Sequence, residues 1–205
     1  MIAAAITLIR EELDAYLQSI EGLPANHVVL GNIANLGEPE AQYLDEKIVI
    51  TNVIIEEEST LKNKRHFQQS AAGGIDYIEP PVYLNLYLLF CATYDRSKPD
   101  GYEVALHEIS LVIQFFQSKN VFTITNSPFS SIALTDTISD VDKAEINLRA
   151  ELYTLTFEQS NHLWGSLGGK QSPFVMYKIR LVKIQQKITQ EAPLIEEIQE
   201  NGNVL

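Results

Sequence analysis

The chain has 205 residues, enough for one domain with a sizeable core. Its 27 acidic and 15 basic residues leave a net charge of -12. That balance argues against nucleic acid, whose phosphates need cationic surface, and against an anionic membrane surface. There is no run of about 18 apolar residues to insert in a bilayer, and the single cysteine, Cys91, allows no intrachain disulfide.

Residues 2 to 20 predict an amphipathic helix, with Ile2, Ile6, Ile9, Leu13, Tyr16, Leu17 and Ile20 on one stripe and Gly22 and Pro24 as the stop. Its apolar start has no basic residues before it and no Ala-x-Ala pattern after it, so a secretory signal is not expected. His27 to Leu30 reads as a short strand, and residues 35 to 46 as a polar loop. Lys47 to Glu57 is β-branched on both faces, which predicts a strand covered on both sides. Ser59 to Glu79 is polar, with Gly73-Gly74 near its end, and reads as a long excursion.

Pro80-Pro81 introduces the clearest strand, Val82 to Tyr94. Val82, Leu84, Leu86, Leu88, Phe90 and Ala92 alternate onto a core face; Tyr83, Asn85, Tyr87, Leu89, Cys91 and Thr93 form a mixed face for a helix or a neighbouring subunit. Tyr102 to Lys119 predicts a helix apolar around nearly its whole circumference, hence buried all round. One sheet covers only one side of it. Leu106, Ile109, Ile113 and Phe116 are therefore candidate subunit-interface residues, with burial in the domain's own core as the equal alternative.

Residues 120 to 145 read as irregular, and Glu145 to Thr156 as a strand. Thr156 and Gln159 have capping-box spacing for a short helix carrying Leu163, Trp164 and Leu167, ended by Gly168-Gly169. Pro173 to Gln185 is the last strand, with Val175, Tyr177, Ile179 and Leu181 inward and Lys178 and Arg180 outward. Residues 1 to 187 thus read as one domain. The segment 188 to 205 holds four glutamates and no basic residue, and reads as a tail disordered in the free protomer. Leu194, Ile195 and Ile198 within it are candidate partner contacts.

Residue types that carry chemistry are present without their partners. His107-Glu108 starts a zincin-like pattern, but Leu111 stands where the second His belongs, and no His or Cys pair has metal-ligand spacing. Gly169-Lys170 faintly suggests a phosphate loop, but Trp164 replaces its first glycine, Gln171 its Ser or Thr, and a helix precedes it. Glu56-Glu57-Glu58 reads as a solvated charge run rather than a cation site. No Gly-x-Ser-x-Gly elbow occurs, and Cys91 reads as an inert buried thiol. No cofactor is implied.

Several segments, in order, resemble the N-terminal domain of the tail-cap family of extracellular contractile injection systems, typified by the antifeeding prophage and the Photorhabdus virulence cassette. They are Ile2 to Ile20; Val53 to Glu58 with Leu61-Lys62-Asn63; Pro80 to Leu89 leading to Ala92-Thr93-Tyr94; Glu103 to Gln117; and Leu163-Trp164, Leu167-Gly168-Gly169, Ser172-Pro173 and Tyr177 to Arg180. The resemblance implies an α+β fold, a mixed and mostly antiparallel sheet flanked by helices, as in tail terminators. It implies a non-catalytic homo-hexamer whose ring meets the terminal tube and sheath proteins, ends polymerisation and fixes particle length. The Leu194, Ile195 and Ile198 segment would then contact tube or sheath, adding as a strand to a sheet edge. Assembly would take place in the cytoplasm, the particle acting inside the cell or after release. The alternative expectation is a non-catalytic adaptor that tethers an accessory protein to a particle or membrane complex.

Overall fold

The computed structural model describes residues 1–61, 67–69, 75–78, 80–135, 138–168, 170–184 and 189–191. Helix α1 (Ile2–Glu21) buries Ala4, Ala5, Ile6, Leu8, Ile9, Leu13 and Leu17 and leaves Ile20 at the surface. Gly22 ends it at φ 66°, where a side chain would be strained. The Asp14 carboxylate then accepts the backbone N–H groups of Asn26 (3.0 Å) and Val28 (2.9 Å), which sets the start of β1 (Val28–Leu30).

A six-stranded sheet forms the centre, ordered β1-β2-β5-β8-β7-β6. It comprises β2 (Ile48–Glu57), β5 (Val82–Ala92), β6 (Val121–Thr123), β7 (Asn147–Leu152) and β8 (Phe174–Ile184) with β1. Only β1 and β2 are parallel. The expected mixed, mostly antiparallel α+β architecture is therefore the one observed. A second sheet is small: β3 (Phe67–Gln69), β4 (Ile75–Ile78) and β9 (Thr189–Glu191), all antiparallel. The polar excursion after Ser59 thus carries two strands, and Thr189–Glu191 of the expected tail supplies the third. Lys62, Asn63, His66, Gly73, Gly74, Gly169 and Gln185 lie outside the described residues.

One sheet face carries Ile48, Ile50, Leu86, Leu88, Phe90, Ala92, Val175, Tyr177 and Ile179. Helices α1 and α2 (Gly101–Ser118) cover it, with Phe115, Phe116, Phe122 and Tyr177 packed ring to ring. The opposite face of β5 packs Tyr87, Leu89 and Cys91 into a second core with Val49, Met176, Leu44 and Trp164. Its cover is α4 (Phe157–Ser166) and the 3-10 turns Ile33–Asn35 and Pro39–Leu44. The residues expected to be a polar loop, 35 to 46, therefore contribute Ala41 and Leu44 to this core, and Ile33 just before them joins it. Trp164 lies edge-on to Phe174 at 5.3 Å; its indole N–H meets no acceptor among the described residues.

Two bulges interrupt the alternation. Asn52 faces Leu88 while Ile54 faces Tyr87, so Val53 is an extra residue in β2. Beyond it Ile54 and Ile55 are half exposed, and β2 is covered on both sides only in its first half. In β8, Ile179 faces Leu86 but Val182 faces Leu84. Val182 therefore takes the inward place expected of Leu181, whose side chain lies outside the described residues. The stretch 120 to 145, expected to be irregular, contains β6, a 3-10 turn (Ser131–Leu134) and α3 (Asp140–Ala144).

Candidate interaction surfaces

Helix α2 spends one side on the core and keeps the other. Ala105, Ile109, Val112 and Phe116 face the sheet, and Leu111 and Phe115 are also buried. Two of the expected interface residues, Ile109 and Phe116, therefore sit in the domain core. The other two are on the surface: Leu106 is 46% exposed and Ile113 40%. With Tyr102 they form an apolar ridge at spacings of four and seven residues. Leu194, Ile195 and Ile198 lie outside the described residues.

Two grooves flank this ridge and share Phe174. The larger, about 590 Å³, is lined by Ile113, by residues 152–157 and by Phe174, Val175 and Met176. The smaller, about 450 Å³, runs between Tyr102, Leu106 and Ile109 and the segment Gln171–Phe174. The lips of the larger groove are Leu152, 58% exposed, and Phe157, 94% exposed. Phe157 is held there by the helix behind it. The Thr156 hydroxyl accepts the Gln159 N–H (3.2 Å), and the Gln159 amide oxygen accepts the Thr156 N–H (3.0 Å), completing the capping box. An isolated exposed leucine is ordinary; a groove with apolar lips beside an apolar ridge is a candidate interaction surface.

A second apolar surface lies on the β6–β7 connection. Phe129, Leu134 and Val141 point outward there. The connection is pinned from beneath by α1: the buried Glu12 carboxylate accepts the Phe129 N–H (2.8 Å) and pairs with Lys119 (2.9 Å). Glu11 accepts the Ser131 N–H (2.6 Å) and hydroxyl, and the Lys119 ammonium also donates to the Asn126 carbonyl (2.6 Å). Periodicity could not reveal this surface, because its apolar residues follow no repeat.

The outer sheet face around Tyr87 also carries a polar network. The Tyr87 hydroxyl and Lys178 donate to Glu56 (2.9 and 3.1 Å). Glu58 accepts from the Asn85 amide (3.0 Å) and the Thr60 hydroxyl (2.7 Å), with Arg180 beside it. These bonds, the Asn85 one foremost, hold the Glu58 carboxyl down to about 2. Glu56 and Glu58 of the acidic run are thus paired with Lys178 and Arg180 of β8. Burial pushes the Cys91 thiol up to about 12, far from a reactive thiolate.

The described histidines are separate. His27 meets Glu108 in a buried pair (2.8 Å), while His107 meets Glu21 (3.2 Å) at the surface. Among the described residues no group of three His, Cys, Asp or Glu side chains is placed to hold a metal ion. Nor is any helix there long and apolar enough to cross a membrane. Gly168, at φ 91°, closes α4, so the faint phosphate-loop pattern ends a helix and does not open one.

Comparison with known proteins gives three findings. The family model described as the Pvc16 N-terminal domain matches residues 4–197. The fold is similar to that of a PVC sheath/tube terminator from an extracellular contractile injection system in the extended state, with a TM-score of 0.52 at 13% identity. It is also similar to the anti-feeding prophage cap, the AFP tube-terminating cap, with a TM-score of 0.51 at 14% identity. The alignments take in 98% and 95% of this chain, but 65% and 60% of those chains, less than two thirds of either. No curated protein sequence matches this one.

Proposed function

This chain belongs to the Pvc16 N-terminal domain family, the tail-terminator family of PVC- and AFP-type contractile injection systems, and from that premise we propose that it caps such a particle. The observation that carries the proposal is the family match across residues 4–197, nearly the whole chain.

A growing tube exposes the same heterologous surface on each new ring. A terminator must match that surface on one side and offer no copy of it on the other. The task is mechanical and needs no bond-making residue, so the role is a structural one. Six copies close a ring that meets the terminal tube and sheath subunits, stops their addition and fixes particle length, during assembly in the cytoplasm. The apolar ridge at Leu106 and Ile113 with its two grooves supplies protomer contacts. Leu194, Ile195 and Ile198, a few residues beyond edge strand β9, supply the contact to tube or sheath.

Negative-stain microscopy of the purified protein, with its mass in solution, tests the ring directly. Six-fold rings of six protomers are expected. A protein that stays monomeric at every concentration, and does not bind tube or sheath ends, contradicts the proposal and favours an adaptor.

A further inference from the structure

We infer that the ring closes head to tail, the apolar knobs of the β6–β7 connection on one protomer seating in the groove between α2 and α4 of the next. The inference rests on the ring reading above, and names the two surfaces that meet.

A heterologous ring needs two unlike, complementary patches on each subunit, placed so that one cannot meet the other within the same chain. The molecule offers such a pair. The connection leaves β6 and enters β7 at one end of the sheet, whereas the groove begins where β7 ends. Six residues of extended chain separate them, roughly 20 Å. On the connection Phe129 is 67% exposed, Leu134 86% and Val141 60%. The other patch is the groove, about 590 Å³ in volume, with Phe157, Leu152 and Ile113 around it. A volume of that size is typical of sites that enclose a drug-sized ligand, and admits a few large side chains.

The exposed areas also match. Each set of three side chains exposes the equivalent of about two whole large side chains, on the order of 300–400 Å² per partner. That is a reasonable apolar centre for the roughly 800 Å² per partner that a stable interface takes, with polar surroundings supplying the remainder.

The knobs are also held ready. Glu12 is buried against Lys119, an expensive choice for a helix that could have carried leucine. It fixes the Phe129 backbone and Lys119, so the Phe129 ring stands outward on a pinned stretch of chain. Pinning before contact reduces the ordering cost of association.

Charge complementation tests the pairing. Leu134→Asp places an acid on a knob, and Phe157→Lys places a base on the groove lip. Both positions are exposed, so each variant should melt like the wild-type chain. Each alone should associate roughly tenfold or more weakly, because every interface in its ring carries an unpaired charge. An equimolar mixture should restore rings, since alternating subunits make one wild-type interface and one Asp–Lys interface in turn. Analytical ultracentrifugation reads all three samples. Assembly of either variant alone at wild-type strength overturns the inference, as does a mixture that stays dissociated, which would assign the patches to other partners. A wild-type protein that never self-associates removes the ring reading itself, so the two failures are distinct.

Discussion

Glu58 joins three strands. It follows β2, accepts the Asn85 amide from β5 and lies beside Arg180 of β8. Its carboxyl is held down to about 2 from an ordinary 4.5. A depressed folded-state value means stabilisation that is complete above about 4.5 and is lost as pH falls toward 2. Urea midpoints should therefore drop between those pH values more steeply in the wild-type chain than in Glu58→Gln. Glu56 is shifted in the same direction by the Tyr87 hydroxyl and Lys178. Nothing in the run Glu56-Glu57-Glu58 announces these partners, because Lys178 and Arg180 are each 122 residues away along the chain. Cys91 was legible: an apolar strand position predicts a buried thiol, and the side chain is fully buried. A soluble thiol reagent should leave the native protein unmodified and label one cysteine once it is unfolded. Glu12 was not legible, since an acid on the apolar side of a helix reads as an error until Lys119 and the Phe129 N–H are placed beside it.

The limits of the long elements were read well from sequence, the bulged strands β2 and β8 included; the facing of residues past a bulge was not. Helices α1 and α2 and strand β5 lie within a residue or two of their expected limits. The bulges in β2 and β8 are single inserted residues, and they reverse the facing of every residue beyond them. That is why Val182, and not the predicted inward alternation, fills the core near Leu84. Strands β3, β4 and β6 are three or four residues long, too short for a pattern to accumulate. Within one protomer α2 is covered on its sheet side and leaves Leu106 and Ile113 exposed. Ile109→Ala should therefore cost about 2–5 kcal/mol of folding stability, as a core cavity does, while Leu106→Lys should stay within about 0.5 kcal/mol. Denaturant unfolding separates the two, and loss of self-association is expected of Leu106→Lys without loss of fold. Thr156→Ala should cost about 1 kcal/mol through the capping box and loosen the seat of Phe157.

At the scale of the molecule, the two cores on opposite sheet faces make a rigid block with apolar patches at separate places on its surface. Composition pointed away from nucleic acid, and the order of segments from the first helix to Tyr177-Lys178-Ile179-Arg180 resembled a tail cap; the family match and the fold agree with that resemblance. The groove itself was out of reach of sequence, because Ile113, Leu152, Phe157 and Phe174 come from α2, β7, α4 and β8 and converge only on folding. As a cap, this block would end a polymer. The direct measurement is the length distribution of particles assembled from tube and sheath proteins with and without it, read by electron microscopy. The account predicts a narrow distribution and one capped end when the protein is present, and long tubes of variable length when it is absent. Identical distributions in the two preparations would contradict it.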